Sequence, residues 1–240
     1  MDHQLARALE PAVAGTMVRF LGPVIPGIGR TRDQIAGFRN EWTDNATAAL
    51  HTDHAVVVAL GDSLSQGIGA ESIRCSYVGL VAQQLRDTGA RPFGIVNLSR
   101  SGAKTNDVLD VQLPALSAID NKVVLGMCTV GSNDLLRSVR VGATKKRLSR
   151  LIEELPETIA IATLPDARSQ LAKVVNRHIR SEATRCGRPL ADIGAALTSW
   201  KGLMASDGFH PNGKGHCLWA DTFLETLRAA GLVGNDLGRV

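Results

Sequence analysis

The chain has 240 residues, 44% of them hydrophobic, with 27 Lys+Arg against 23 Asp+Glu and a formal net charge of +4. That length and apolar content suffice for one large α/β domain with a full core. So small and mostly dispersed a positive excess gives no argument for a nucleic-acid surface, and with no run of about eighteen apolar residues no helix is expected to span a bilayer.

The N-terminus, MDHQLARALEPAVAG, is interrupted by Arg7, Glu10 and Pro11. It has no basic start followed by an unbroken apolar core, so no signal peptide is read and a cytoplasmic protein is expected. Residues 21–30 (LGPVIPGIGR) read as a loop, and Thr31 with Gln34 resembles a capping box opening a helix through about residue 49. Residues 1–50 are therefore expected to form an N-terminal extension packed on a main domain of residues 51–240. The apolar segment 13–28 is read as core cover, with a lid or an acyl-pocket lining as alternatives.

Beyond residue 50, apolar runs alternate with helical patterns. Residues 55–60, 94–98, 122–130, 158–164 and 189–193 are rich in Val and Ile and bounded by Gly, Pro or Asp, which predicts five strands. Residues 77–88, 106–116, 143–155, 168–186 and 213–230 predict helices between and after them. Near-continuous apolar strands alternating with helices imply a mostly parallel five-stranded sheet in a three-layer α/β/α sandwich.

In such sheets ligands bind beyond the C-terminal ends of the strands. The first strand is followed by Gly61-Asp62-Ser63, the second by a segment reaching Gly102, and the third by Gly131-Ser132-Asn133-Asp134. One edge therefore holds a serine hydroxyl, a glycine with an accessible backbone N–H, and a side-chain amide: a nucleophile and the donors an oxyanion needs. A serine hydroxyl requires a base, and His210 is the one histidine in a matching context, in Asp207-Gly208-Phe209-His210-Pro211. Three positions of separation in a turn let the Asp207 carboxylate reach Nδ1 while Nε2 faces outward. The plainer readings are caps and turns: Ser63 and Asn133 as helix caps, Gly102 as a turn glycine, and His210 as a surface residue.

Taken together and in order, GDSLSQG, the Gly102 segment, GSND and DGFHP resemble the GDSL or SGNH family of serine hydrolases. The resemblance covers roughly residues 55–217 and implies a flavodoxin-like fold and ester hydrolysis. It implies Ser63, Asp207 and His210 as the catalytic triad, with an oxyanion hole of the Ser63 and Gly102 N–H groups and the Asn133 side chain. No cofactor or metal is implied, and the expected partner is a small-molecule or lipid ester; carbohydrate deacetylation, acyl transfer and a silent binding module are the alternatives. His51-Thr-Asp-His54 lacks a third ligand for a metal. The four cysteines, Cys75, Cys128, Cys186 and Cys217, are too scattered for a disulfide framework and are expected to be buried thiols. Arg137 and Arg140, just past Asn133, are candidates for an anionic head group.

Overall fold

A computed structural model describes residues 3–9, 26–89, 91–119, 122–137, 141–167 and 169–233. Helices α1 (His3–Leu9) and α2 (Pro26–Leu50) precede β1 (Ala55–Gly61), α3 (Ser63–Gln66), α4 (Tyr77–Asp87) and β2 (Phe93–Asn97). After β2 come a helical turn (Thr105–Asp107), a π-helical turn (Val108–Gln112) and α5 (Leu113–Ser117). They are followed by β3 (Val123–Thr129), α6 (Ser132–Arg137), α7 (Val141–Glu154), β4 (Ile159–Ala162), α8 (Gln170–Arg185), β5 (Leu190–Ala191) and α9 (Gly213–Ala229). The five strands pair in the order β2-β1-β3-β4-β5, every pair parallel. The sheet is thus wholly rather than mostly parallel. With helices on both faces, the chain is a three-layer α/β/α sandwich of flavodoxin-like strand order.

Strand β1 shows why this sequence demands two covered faces. Its residues are buried from Val56 to Gly61. Val56, Val58 and Leu60 face one apolar cluster with α1, α5, α7 and α8; Val57 and Ala59 face the other with α4 and α9. Side chains of period two project into two cores, so no polar face is left for water.

The strand order reverses at β1, whose neighbours are β2 on one side and β3 on the other. Turns leaving β1, β2 and β3 therefore converge at one rim of the sheet, the C-terminal ends of the strands.

Helix α2 departs from the sequence expectation in a way that matters below. It begins at Pro26, five residues before Thr31. Proline at the first helical position has its φ preset and no N–H to leave unsatisfied, so it opens the helix that the Thr31 pattern had seemed to open. Ile35, Phe38 and Trp42 join the second core, while Ala46 and Ala49 join the first. The helix lies so close on β2 that a Cβ on Gly94 would stand 2.3 Å from Ala49 Cβ. Most of segment 13–28 lies outside the described residues.

Candidate active site

The nucleophile turn is held by its backbone. Gly61, at φ 122°, has no room for a side chain: a Cβ there would lie 1.9 Å from the Thr129 carbonyl oxygen of β3. That same oxygen accepts the Asp62 N–H at 3.0 Å. On the other side the Gln112 amide pairs with Gly61 as a strand would, accepting its N–H at 2.7 Å and donating to its carbonyl at 2.8 Å. The π-helical turn Val108–Gln112 is what brings Gln112 to this position. Asp62 caps α3 by accepting the Leu64 N–H at 3.0 Å.

Two serines sit in GDSLSQG, and the structure separates them. Ser65 is fully buried, with its hydroxyl 2.7 Å from the Leu60 carbonyl, 2.6 Å from Tyr77 Oη and 2.6 Å from Thr129 Oγ1. Ser63 Oγ lies 2.9 Å from His210 Nε2. His210 Nδ1 in turn lies 2.6 Å from Asp207 Oδ2. The other Asp207 oxygen accepts the backbone N–H groups of Phe209 at 2.9 Å and His210 at 3.0 Å. Burial disfavours the Asp207 charge, yet the hydrogen bond and charge of His210 and these two N–H groups outweigh it and hold the carboxyl well below the usual carboxylate range. A hydroxyl, an imidazole and a carboxylate thus form a continuous relay, with the carboxylate able to fix the imidazole tautomer and balance an imidazolium.

Two glycines shape the chain after the nucleophile turn. Gly67 ends α3 in the left-handed conformation at φ 91°. Gly69, at φ 99°, runs against the histidine turn: a Cβ would stand 2.1 Å from the Pro211 carbonyl oxygen and 3.1 Å from His210 Cβ. The further histidine near this site, His216, is held 3.3 Å from Tyr77 N and 3.3 Å from the Ile68 carbonyl oxygen. Burial pushes it down to about 4, so it is neutral at pH 7 and plays no part in the relay.

Asn133 stands at the start of α6, where Nδ2 donates to the Ala103 carbonyl at 3.0 Å and faces Asp62 Oδ2 at 3.4 Å. Its neighbour Asp134 is anchored by Thr105 and Arg147. The Ala103 contact ties Asn133 to the turn of Gly102, itself exposed, at φ 81° and with open space where a side chain would stand. Asp62 carries the largest electrostatic anomaly here. Burial, offset partly by the Leu64 N–H and reinforced by the charge of Asp134, pushes its carboxyl up to about 7.

Beside Ser63 lies a cavity of about 310 Å³ whose apolar wall includes Leu136, Leu164, Leu171, Trp200, Met204 and Phe209. Leu136 and Phe209 are exposed at its mouth, and the Phe209 ring meets the His210 imidazole edge-on, centroids 4.9 Å apart. A larger groove, near Thr158 and Leu190, is at the opposite end of the sheet, away from Ser63. Among the described residues no group of three or more His, Cys, Asp or Glu side chains is placed to hold a metal ion.

The sequence profile of the GDSL-like lipase/acylhydrolase family matches residues 59–218, which contain every residue of this relay. The chain belongs to that family. Among solved acylhydrolase folds it is similar to TesA (23% identity, 73% of this chain and 99% of that one, TM-score 0.62). It is also similar to a lipase/acylhydrolase from Enterococcus faecalis (21% identity, 76% and 98%, TM-score 0.64). An acetylxylan esterase from Geobacillus stearothermophilus shares the fold at 17% identity, 72% and 94% coverage and TM-score 0.54. The uncharacterized protein YpmR of Bacillus subtilis (strain 168) is 22% identical over 234 residues, 80% of this chain and 89% of its own.

Several residues of this GDSL-type site escaped the sequence reading. Gln112 sits in a helical pattern where glutamine is unremarkable, and Gln66 lies inside GDSLSQG with no reading of its own; only the fold reveals their backbone partners. Thr31 and Gln34 were legible only as a cap. The cysteine expectation holds in part: all four are free, but only Cys128 is buried, Cys217 being exposed. The Arg137 side chain and Arg140 lie outside the described residues. No helix among the described residues is long and apolar enough to cross a membrane.

Proposed function

We propose that the protein is a serine hydrolase that cleaves carboxylic esters through an acyl-enzyme. The observation that carries this reading is the hydroxyl–imidazole–carboxylate relay, 2.9 Å and 2.6 Å in its two steps. Ser63 Oγ attacks the ester carbonyl while His210 Nε2 takes its proton. The tetrahedral intermediate collapses, its C–O bond breaks, and His210 returns the proton to the leaving alcohol. Water then repeats the sequence on the acyl-enzyme, releasing the acid and restoring the Ser63 hydroxyl. Asp207 holds the imidazole in the Nδ1–H tautomer throughout. The N–H groups of Ser63 and Gly102 serve as oxyanion donors, joined by Asn133 Nδ2, whose long 3.4 Å bond to Asp62 Oδ2 is the one that gives way to the substrate oxygen.

The apolar cavity beside Ser63 supports an ester with a hydrophobic acyl group over an acetylated sugar. Its volume is at the low end for ligand sites, and apolar side chains such as Leu136, Leu164, Leu171, Trp200 and Phe209 make up most of its wall, with Ser132 and Ser169 among the polar ones. A panel of p-nitrophenyl esters graded in acyl length tests this reading. Specificity (kcat/KM) is expected to rise about fourfold per added methylene until the cavity is filled, as each buried methylene contributes about 0.8 kcal/mol. Greatest activity on acetyl esters would refute the acyl-pocket assignment. A fluorophosphonate probe should label the wild-type protein and fail on Ser63→Ala; labelling that survives the substitution would refute the nucleophile.

A further inference from the structure

Helix α2 lies entirely outside the segment matched by the family profile, yet it touches the relay directly. Thr31, 5% exposed, donates from Oγ1 to Asp207 Oδ2 at 2.8 Å across 176 residues of sequence. This is the same carboxylate oxygen that meets His210 Nδ1. The two N–H donors on the other oxygen belong to Phe209 and His210, within the turn that carries the acid. Those local bonds shape the turn but cannot fix it against the sheet. The Thr31 hydroxyl can, because it reaches Asp207 from a separate element.

The same face of α2 meets the other turns of the site. Gln34 accepts the Gly69 N–H at 3.0 Å and donates to the Ala70 carbonyl at 2.8 Å, gripping the strip that runs against His210 and Pro211. The Ile35 carbonyl accepts Gln66 Nε2 at 3.0 Å, and Trp42 Nε1 donates to the Gln66 carbonyl at 3.0 Å. Gln66 passes the contact on, since its Oε1 accepts both the N–H and the hydroxyl of Ser101. Arg39, buried, donates to the Ser99 carbonyl at 3.0 Å just ahead of Gly102. Thr31, Gln34, Ile35, Phe38, Arg39 and Trp42 recur at three- and four-residue spacing, so they form one stripe along the helix. Read along its length, that stripe contacts the acid turn, the nucleophile turn and the turn after β2.

We propose that α2 belongs to the catalytic framework and that Thr31 is a positioning residue, its hydroxyl orienting Asp207 and through it His210. The inference rests on the triad reading above. Thr31→Val keeps shape and branching but removes the donor, leaving Asp207 Oδ2 to His210 alone. It is expected to lower kcat about ten-fold, the low end for a hydrogen bond to a charged group, with KM changed less than about twofold. Thr31→Ser keeps the donor and should restore most of the rate. Loss of a donor also leaves more negative charge facing the imidazole. The acid limb of the pH–rate profile should therefore move to higher pH in Thr31→Val and stay in place in Thr31→Ser; among the described residues the other groups facing Asp207 are the His210 ring and the N–H groups already named.

The test uses the full chain with the best p-nitrophenyl ester, alongside wild type and Ser63→Ala. An inactive wild type would sink the triad reading itself. An active wild type matched by Thr31→Val in kcat and pH profile would overturn only the role of Thr31. A Thr31→Ser variant as slow as Thr31→Val would also overturn it, since packing rather than the hydroxyl would then matter. If Thr31→Val does not fold, Thr31→Ala, which also lacks a donor, takes its place under the same criteria, with Thr31→Ser again the control for packing.

Discussion

Asp62 precedes the candidate nucleophile and is buried without a cationic partner among its hydrogen bonds, which go to the Leu64 N–H and the Asn133 amide. Asp62→Asn removes the titrating group while keeping an oxygen for the Leu64 N–H. The wild-type carboxyl is carried from an ordinary 3.8 up to about 7. A raised folded value means that the native state binds more protons than the unfolded state across that window. Stability therefore falls as pH rises from about 4 to about 7, and the full cost, on the order of 4 kcal/mol, is expressed above it. Urea unfolding of both proteins at a series of pH values isolates the effect, because every other titrating group is common to the two. The stability of Asp62→Asn relative to wild type should climb by about 3 kcal/mol between about pH 5 and about pH 8.5. A difference that stays constant across that range would refute the buried, proton-binding state of Asp62. The same charge has a kinetic face: once ionised, Asp62 sits beside Asn133, where under the proposed reaction it opposes the oxyanion. Turnover should fall on the alkaline side in the wild type more than in Asp62→Asn.

Three further outcomes are expected. Asn133→Ala should lower kcat by about 10²–10³ with a far smaller change in KM, measured by steady-state ester hydrolysis; a wild-type kcat would remove Asn133 from the oxyanion donors. Gly69→Ala places a methyl 2.1 Å from the Pro211 carbonyl oxygen at φ 99°, so it should displace the His210 turn and slow fluorophosphonate labelling of Ser63; an unchanged labelling rate would show that the turn yields freely. Trp42→Ala, at a position 2% exposed, should cost about 3–5 kcal/mol in urea unfolding. Trp42→Phe, which loses chiefly the bond to the Gln66 carbonyl, should cost about 1 kcal/mol, and equal losses in the two would refute that division.

What the sequence revealed of this molecule follows from the range over which each signal acts. Strand β1 was legible because six buried positions in a row admit few non-apolar residues. The turns that follow β1 and β3 were legible because glycine, asparagine and serine interrupt such runs for reasons of local backbone geometry. Asp207 and His210 stood out because they are three residues apart in one turn. Helix α2 was misread at its start because Thr31 and Gln34 do fit a cap pattern, while their partners, Asp207 and the Gly69–Ala70 strip, lie 176 and about 35 residues away. Nothing local to residue 31 encodes that partnership. The π-helical turn was hidden for the same reason: its register is set by where Gln112 must meet Gly61, not by helical periodicity.

One turn supplies both a wall of the cavity, through Phe209, and the imidazole beside Ser63, through His210. Under the proposed reaction, breadth of substrate and speed of reaction are consequently inherited together at that position. Enlarging the mouth by trimming the Phe209 ring loosens the neighbour that braces the imidazole edge. Leu136 and Leu171 line the same cavity from α6 and α8, so reshaping the entrance there leaves the His210 turn untouched. An engineer seeking a different chain length would start with those two leucines.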